Sequence, residues 1–149
     1  MHKFIILITL LVTNLSLAQN VLVTGSNRGI GYEFVSQYAE RGWSVIATSR
    51  SPHDDVELIN LAEKYSNITI EKLDVTSQED IDNLVDKLSG QSIDLLINNA
   101  GLLGDRKKQQ WGNIDKSTFD QLMDVNVFGP LKISEALSEN VIGSDKKQI

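Results

Sequence analysis

Short apolar segments of strand length alternate with amphipathic segments of helical length along most of this 149-residue chain. Strands are predicted at residues 21–23, 43–48, 68–73 and 93–97, and a helical pattern follows each of them. Consecutive parallel strands need a long crossover, usually a helix, and such crossovers are right-handed. The alternation therefore predicts an α/β protein with a doubly wound parallel sheet that is covered by helices on both faces.

The predicted helices carry recognisable start and bend signals. Ser51-Pro52 is predicted to open the second helix, with proline at its first position. Thr76 and Glu79 have the spacing of a capping box, which predicts the start of the third helix. A longer helix is predicted from residue 115 to about residue 140, with a bend at its Gly-Pro step. Its buried side is expected to contain Phe119, Leu122, Met123, Val125 and Val127.

The first 18 residues follow a different pattern from the rest of the chain. After Lys3 no ionisable side chain occurs until Arg28, and residues 4–12 are almost entirely apolar. A basic start, a short apolar core and a small-x-small ending at residues 16–18 predict a secretory signal peptide. The alternative is a buried first strand or helix. The signal peptide implies export to the periplasm or the medium, whereas its absence implies a cytoplasmic protein. The apolar run is shorter than the ~20 residues of a transmembrane helix, so no stable membrane span is expected.

Composition narrows the classes of function. The chain has 14 Lys and Arg against 20 Asp and Glu, a formal net charge of −6, which argues against nucleic acid as a partner. It contains no cysteine, which excludes disulfides, thiolate zinc sites and cysteine nucleophiles. No metal site is predicted.

A glycine-rich turn follows the first predicted strand and opens the first predicted helix. Glycines allow a tight turn and a close approach of backbone to ligand, and the helix N-terminus favours a pyrophosphate. This context predicts dinucleotide binding, although a tight structural turn is the alternative. The spacing is G-x-x-x-G-x-G, and the Gly-Lys-Ser/Thr of a nucleoside-triphosphate loop is missing. The predicted cofactor-binding residues of this turn are Gly25, Ser26, Asn27, Arg28, Gly29, Ile30 and Gly31.

The end of the second strand favours NADP(H) over NAD(H) as the cofactor. A carboxylate at this place would bind the adenosine ribose 2′-hydroxyl, but the chain has Ser49 and Arg50 there. Asp54 and Asp55 come only after a proline. Arg50 and Arg28 are both predicted to pair with a 2′-phosphate, because guanidinium groups bind phosphate in a bidentate way. Each arginine alone could equally be an ordinary surface residue.

Four motifs together resemble the classical short-chain dehydrogenase/reductase family. They are T-G-S-N-R-G-I-G at 24–31, L-D-V-T at 73–76, N-N-A-G at 98–101 and V-N-V-F-G-P at 125–130. Their order and spacing agree with the N-terminal portion of that family from residue 21 to about the end of the chain. The resemblance implies a Rossmann-like fold, with residues 19–149 as an NAD(P)-binding domain that is incomplete at its C-terminus.

The resemblance also implies roles for individual residues. Asp74 would accept a hydrogen bond from the adenine amino group, with the backbone of Val75 beside it. Asn126 would support a water-linked proton relay to the catalytic lysine. For Asn98, bracing of the sheet and contact with the cofactor are both open. The residues that would pass the cofactor ribose along the end of the fourth strand are Asn99, Ala100 and Gly101.

The chain departs from the family pattern in its catalytic residues. The family uses a serine and a Tyr-x-x-x-Lys motif, with tyrosine as general acid and base. Here the tyrosines are Tyr32, Tyr38 and Tyr65, and none has lysine four residues later. Residues 146–149 stand where a fifth strand is expected to begin. We therefore expect a fragment, with the sheet truncated after the long helix that follows the fourth strand, and inactive by itself.

The predicted function of the whole protein is that of an NADP(H)-dependent oxidoreductase. By the resemblance, its substrate is a small-molecule carbonyl or alcohol, and the full-length protein is a homo-oligomer. The alternative is a non-catalytic dinucleotide-binding or interaction module that ends where this chain ends.

Overall fold

A parallel sheet flanked by helices makes up the computed structural model, which describes residues 19–149. The strands are β1 (Asn20–Val23), β2 (Ser44–Ser49), β3 (Ile68–Lys72) and β4 (Leu95–Ile97). The helices are α1 (Gly29–Glu40), α2 (Val56–Lys64), α3 (Gln78–Lys87), α4 (Lys116–Met123), α5 (Gly129–Ala136) and α6 (Ser138–Ile142). A 3₁₀ turn (Arg106–Gln109) precedes α4, and a π-helical segment (Asp124–Phe128) joins α4 to α5.

The strand order is β3-β2-β1-β4, and every neighbouring pair is parallel. Leu22 of β1 is in register with Ile46 of β2 on one side and with Leu96 of β4 on the other. From β1 the chain first adds strands on one side of the sheet, β2 and then β3, and afterwards crosses to the other side to form β4. Open α/β sheets bind ligands at such a switch point, here between β1 and β4. This topology confirms the predicted doubly wound, Rossmann-like fold. Beyond β4, Gln148 forms a single parallel bridge with Leu95, where the fifth strand is expected to begin.

Alternate residues of β1 enter two separate cores on opposite faces of the sheet. Val21 and Val23 pack with α1 and α2, whose buried contributions include Val35 and Leu58. Leu22 faces the other core, which α3, α5 and α6 cover. Val21, Leu22 and Val23 are fully buried, as expected for a central strand covered on both sides.

Helix α2 begins later than the sequence predicts. It starts at Val56 with Asp55 as the N-cap residue, not at Ser51-Pro52. The intervening residues form a turn in which the Asp54 amide donates to the Ser51 carbonyl over 2.9 Å. Ser51 and Pro52 therefore belong to a turn, and the helix begins only after it, at Val56.

The N-cap of α3 is one residue later than predicted. Ser77, not Thr76, accepts from the backbone amide of Asp80 at 3.2 Å. Thr76 is engaged elsewhere, because both its amide and its hydroxyl donate to the carboxylate of Asp74. Because its hydroxyl is bonded to Asp74, Thr76 does not cap the helix, and the next residue, Ser77, does.

The long C-terminal helix is divided, and its expected buried side is largely exposed. The π-helical segment ends where the predicted bend at Gly129-Pro130 begins. Phe119, Met123 and Val127 are 54%, 39% and 53% exposed, which contradicts their predicted burial. The reason is their position: α4 packs mainly on the 3₁₀ turn and the π-helical segment and not on the sheet. Val125 alone of the predicted set packs against a core.

The predicted signal peptide, residues 1–18, lies outside the described residues. Among the residues that are described, no helix combines the length and apolar character needed to cross a bilayer.

Candidate functional site

A cavity of about 930 Å³ lies at the C-terminal ends of all four strands. Its floor and walls come from the glycine-rich turn after β1 and from the residues that end or follow β2, β3 and β4. The start of α4 and the π-helical segment close one side, through Ser117, Asp120, Gln121, Asp124 and Val125. Of the predicted cofactor-binding residues, the cavity is lined by Gly25, Asn27, Arg28, Gly29, Ile30, Gly31, Ser49, Arg50, Asp74, Val75, Asn99, Ala100 and Gly101.

Close packing of the glycine-rich turn explains two of its glycines. Gly25 has φ +66°, and a Cβ there would lie 2.8 Å from the Cα of Ala100. A Cβ on Gly31 would lie 2.2 Å from the carbonyl oxygen of Gly25. The side-chain amide of Asn99 donates to the carbonyls of Thr24 and Gly25, both at 3.0 Å. Asn99 therefore ties the turn to the end of β4, and its predicted role gains a structural component.

The N-terminus of α1 opens into the cavity without a capping side chain. Arg28 is the N-cap residue and makes no side-chain cap hydrogen bond, and Gly29, Ile30 and Gly31 line the cavity. The first amides of a helix have no partner within the helix and carry its positive dipole end. This end of α1 can therefore bind an anion such as a pyrophosphate.

Ser26 and Thr24 have structural positions behind the cavity. Ser26 is fully buried and does not line the cavity, although the sequence predicts it as a cofactor contact. Its hydroxyl donates to the Val23 carbonyl at 2.7 Å and accepts from the Thr48 amide at 3.2 Å, which joins β1 to β2. The hydroxyl of Thr24 accepts from the amides of Asn99 and Ala100, both at 2.9 Å. Thr24 was not predicted as a site residue, although its position directly before Gly25 of the glycine-rich turn could have indicated it.

A carboxylate stands at the end of β2 after all. Asp55 lines the cavity, and its carboxylate accepts hydrogen bonds from the Ser49 hydroxyl and, at 3.1 Å, from the Asn27 side-chain amide. Sequence spacing did not reveal it, because Asp55 lies six positions beyond Ser49 and returns through the turn before α2. Arg28 and Arg50 are exposed, and neither takes part in a salt bridge within residues 19–149.

Asp80, which the sequence did not single out, holds the turn after β3. Its carboxylate accepts from the amide of Asp74 at 2.9 Å and from the ammonium of Lys72 at 2.8 Å. The hydrogen bond from Lys72 and that from the Asp74 backbone outweigh burial and lower the pKa of Asp80. The same ion pair raises the pKa of Lys72. The Ser77-x-x-Asp80 spacing of a helix start was the signal that could have found it.

One carboxylate oxygen of Asp74 accepts hydrogen bonds from Thr76, and the other accepts none within residues 19–149. Oδ1 accepts from the amide and hydroxyl of Thr76, at 2.9 and 2.7 Å. Oδ2 makes no hydrogen bond within residues 19–149, so it remains an acceptor for a ligand at the cavity wall. Val75 is buried beside it, and its Cγ2 would lie 2.9 Å from a Cβ on Gly129.

The two asparagines outside the cavity have distinct partners. Asn126 does not line the cavity; its side chain accepts from the Leu102 amide at 2.7 Å and donates to the Leu102 carbonyl at 2.8 Å. It thereby fixes the loop after β4, because Leu102 does line the cavity. Asn98 donates to the hydroxyl of Ser134 on α5 at 3.0 Å, which favours bracing of the sheet over cofactor contact.

Asp115 caps α4 beside the cavity. Its carboxylate accepts from the Thr118 amide at 2.9 Å and from the hydroxyls of Ser117 and Thr118. These hydrogen bonds, that from Ser117 first, lower the pKa of Asp115 to about 2. The charged cap thus holds Ser117 at the cavity edge.

None of the three tyrosines lines the cavity. Tyr38 packs edge-on against Trp43, with ring centroids 4.9 Å apart, and the Lys64 ammonium lies 4.7 Å from the ring centre of Tyr65. Tyr32 packs against the core beneath α1. A tyrosine general acid is therefore not part of the described site.

Residues 19–149 match the family described as short chain dehydrogenase. The chain therefore belongs to that family, as its four motifs and strand order indicate. Among curated relatives, a (+)-neomenthol dehydrogenase of Arabidopsis thaliana is 29% identical over 150 residues, which cover 86% of this chain and 51% of the relative.

Solved structures of the family superpose on this fold. A carbonyl reductase from Pseudomonas aeruginosa PAO1 in complex with NADP gives a TM-score of 0.77 at 32% identity, over 82% of this chain and 56% of that one. A short-chain dehydrogenase from Streptomyces avermitilis gives 0.73 at 28% identity, over 83% and 44%. The chain thus spans about half the length of the relatives that it matches.

Proposed function

We propose that this chain is the dinucleotide-binding part of an NADP(H)-dependent oxidoreductase that exchanges hydride between nicotinamide and a carbonyl/alcohol pair. One observation carries the proposal. The uncapped N-terminus of α1 opens into a large cavity at the C-terminal ends of four parallel strands, where β1 and β4 diverge in chain order. This is the position at which doubly wound sheets bind dinucleotides.

The residues at the cavity fit such a cofactor part by part. Gly29 is exposed at the cavity, and nothing lies within 4 Å of where its Cβ would be, so this turn leaves room for a pyrophosphate at the start of α1. Arg28 and Arg50 would hold a ribose 2′-phosphate, and Asp74 would accept from the adenine amino group. The backbone at residues 99–101 would lie along the second ribose. When bound, the nicotinamide ring supplies or accepts the hydride.

The preference for NADP(H) rests on two unpaired guanidinium groups. Arg28 and Arg50 both line the cavity, and within residues 19–149 no carboxylate forms an ion pair with either. A guanidinium binds phosphate through two parallel hydrogen bonds, so a 2′-phosphate is the expected partner. The similar carbonyl reductase from P. aeruginosa was solved with NADP.

The alternative is a non-catalytic dinucleotide-binding or interaction module, in which the site holds a dinucleotide without a tyrosine general acid. No tyrosine lines the cavity, and none has lysine four residues later. Binding and turnover therefore have to be measured separately.

Titration of the chain with NADPH and NADH, followed by dihydronicotinamide fluorescence, tests cofactor binding. We expect NADPH to bind more tightly than NADH, and Arg50→Ala to weaken NADPH binding about tenfold while NADH binding changes little. Arg41→Ala is the matched control, because Arg41 is exposed at the end of α1 and does not line the cavity. Equal affinities for the two cofactors, or an unchanged NADPH affinity in Arg50→Ala, would contradict the assignment.

Turnover is tested by NADPH oxidation with a panel of ketones and aldehydes, on the product of the complete coding sequence read to its stop codon. Carbonyl-dependent oxidation supports the oxidoreductase. A stop codon directly after Ile149, with NADPH binding and no turnover, supports the non-catalytic module.

A further inference from the structure

We propose that Asp55 opposes the two arginines as a determinant of cofactor specificity, lowering the preference of this site for 2′-phosphorylated dinucleotides. The inference rests on the proposed function, because it concerns the same adenosine end of the dinucleotide site. It adds a residue that acts against NADP(H) and for NAD(H).

Asp55 occupies hydrogen-bond donors that a 2′-phosphate would need. Its carboxylate accepts from the hydroxyl of Ser49, the last residue of β2, and from the side-chain amide of Asn27 in the glycine-rich turn. The Ser51 amide donates in turn to the Ser49 hydroxyl over 3.1 Å. Ser49, Asn27 and Asp55 all line the cavity beside Arg50. The carboxylate of Asp55 thus occupies the hydrogen-bond donors of Ser49 and Asn27 beside the end of β2.

The carboxylate is directed toward the cavity and away from its own helix. Asp55 is the N-cap residue of α2, a position where aspartate normally accepts from the first amides of the helix. Here it makes no side-chain cap hydrogen bond, and its φ and ψ are −87° and 70°. The side chain forgoes a cap that stabilises helices and bonds instead to two residues of the dinucleotide site.

The position of the Asp55 carboxylate affects the binding of NADP(H) and NAD(H) differently. A carboxylate repels the phosphate of NADP(H), whereas it accepts a hydrogen bond from the ribose 2′-hydroxyl of NAD(H). Arg28 and Arg50 attract the phosphate, and no salt bridge in the described part of the chain neutralises Asp55 against either of them. The ratio of NADPH affinity to NADH affinity is therefore set by the carboxylate of Asp55 acting against the guanidinium groups of Arg28 and Arg50.

Asp55→Asn tests the proposal because asparagine keeps the size and the helix-capping ability of the residue, removes its negative charge and replaces one acceptor oxygen with a donor amide. We expect this variant to bind NADPH about tenfold more tightly than the unmodified chain and NADH no more tightly. Asp54→Asn is the matched control: Asp54 is exposed, carries the same charge and does not line the cavity. Its NADPH-to-NADH affinity ratio should stay within about twofold of the unmodified value.

The outcomes separate this inference from the proposed function. If the unmodified chain binds NADPH but Asp55→Asn leaves the affinity ratio unchanged, or Asp54→Asn shifts it equally, the role of Asp55 is refuted and the dinucleotide site stands. If the unmodified chain binds neither cofactor, both proposals fall. Asp55→Ser, a second neutral residue that caps helices, is measured alongside with a thermal melt, so that a folding defect in one variant does not decide the result.

Discussion

Glycine 31 shows at the residue scale how little space the site leaves for variation. Its amide lies in the first turn of α1, and a Cβ there would meet the backbone oxygen of Gly25 at 2.2 Å and the Asn99 amide nitrogen at 2.5 Å. Neither neighbour is the flexible tip of a long side chain. The glycine-rich turn, the start of α1 and the Asn99 side chain are thus packed too closely for a Cβ at this position.

We expect Gly31→Ala to destabilise the chain by about 3 kcal/mol, because relief of the overlap requires the glycine-rich turn to move. Gly29→Ala is the matched control in the same turn. A Cβ there meets nothing within 4 Å, and only its φ of +59° opposes the change, at about 1 kcal/mol. Urea unfolding measures both free energies. Equal losses in the two variants would show that the close contacts of Gly31 do not set the cost of a side chain at this position.

At the element scale, single polar side chains connect segments that hydrophobic packing alone would leave loose. Asn126 fastens the π-helical segment to Leu102 through two hydrogen bonds, and Asp80 fastens α3 to the end of β3. Both act on loops that line the cavity. The orientation of the site therefore depends on contacts made outside it.

We expect Asp80→Asn to cost about 1–3 kcal/mol of stability at neutral pH, because the charged hydrogen bond to Lys72 is lost. The pKa of Asp80 is lowered on folding, so its contribution is complete above the ordinary carboxyl pKa and disappears as pH falls through the lower folded value. The difference between the original chain and the variant should therefore be constant near pH 7 and shrink below about pH 4.

Urea unfolding from pH 7 down to pH 3 measures this difference. Asp82→Asn is the control, since Asp82 is exposed on the same helix and bonds only to the exposed Gln78. A difference for Asp80→Asn that grew on acidification would contradict the assigned direction of the pKa shift.

At the scale of the whole molecule, one side of α4 and of the π-helical segment after it exposes several large apolar side chains. Phe119, Met123 and Val127 follow one another at intervals of four residues, and Phe128 and Leu131 are exposed nearby. A run of large apolar side chains on one side of a helix marks an interaction surface.

We expect the chain to self-associate through this side. Sedimentation velocity over a range of concentrations should show species larger than a monomer, and Phe119→Ser combined with Val127→Ser should reduce them. Val56→Ser is the control, because Val56 is equally exposed but belongs to α2. A chain that stays monomeric at all concentrations, or a control that dissociates the assembly as well, would contradict this prediction.

Local patterns made much of the fold and part of the site predictable from sequence. The strands fall within about two residues of their predicted ends, because hydrophobic periodicity acts over short distances. Thirteen of the fourteen predicted cofactor-binding residues line one cavity, since parallel strands place their following turns at the same edge of the sheet. Ser26 is the exception, because its hydroxyl is consumed between β1 and β2.

The sequence by itself determined the order of the elements, the parallel sheet and the place of the glycine-rich turn. Each of these follows from the character of a few adjacent residues. Only the tertiary structure decided that Asp55 reaches Ser49 and that Asp80 holds Asp74. The same is true of the exposure of Phe119. These outcomes depend on which distant segments become neighbours, and on which of several competing donors a polar group meets first, and no local pattern records either.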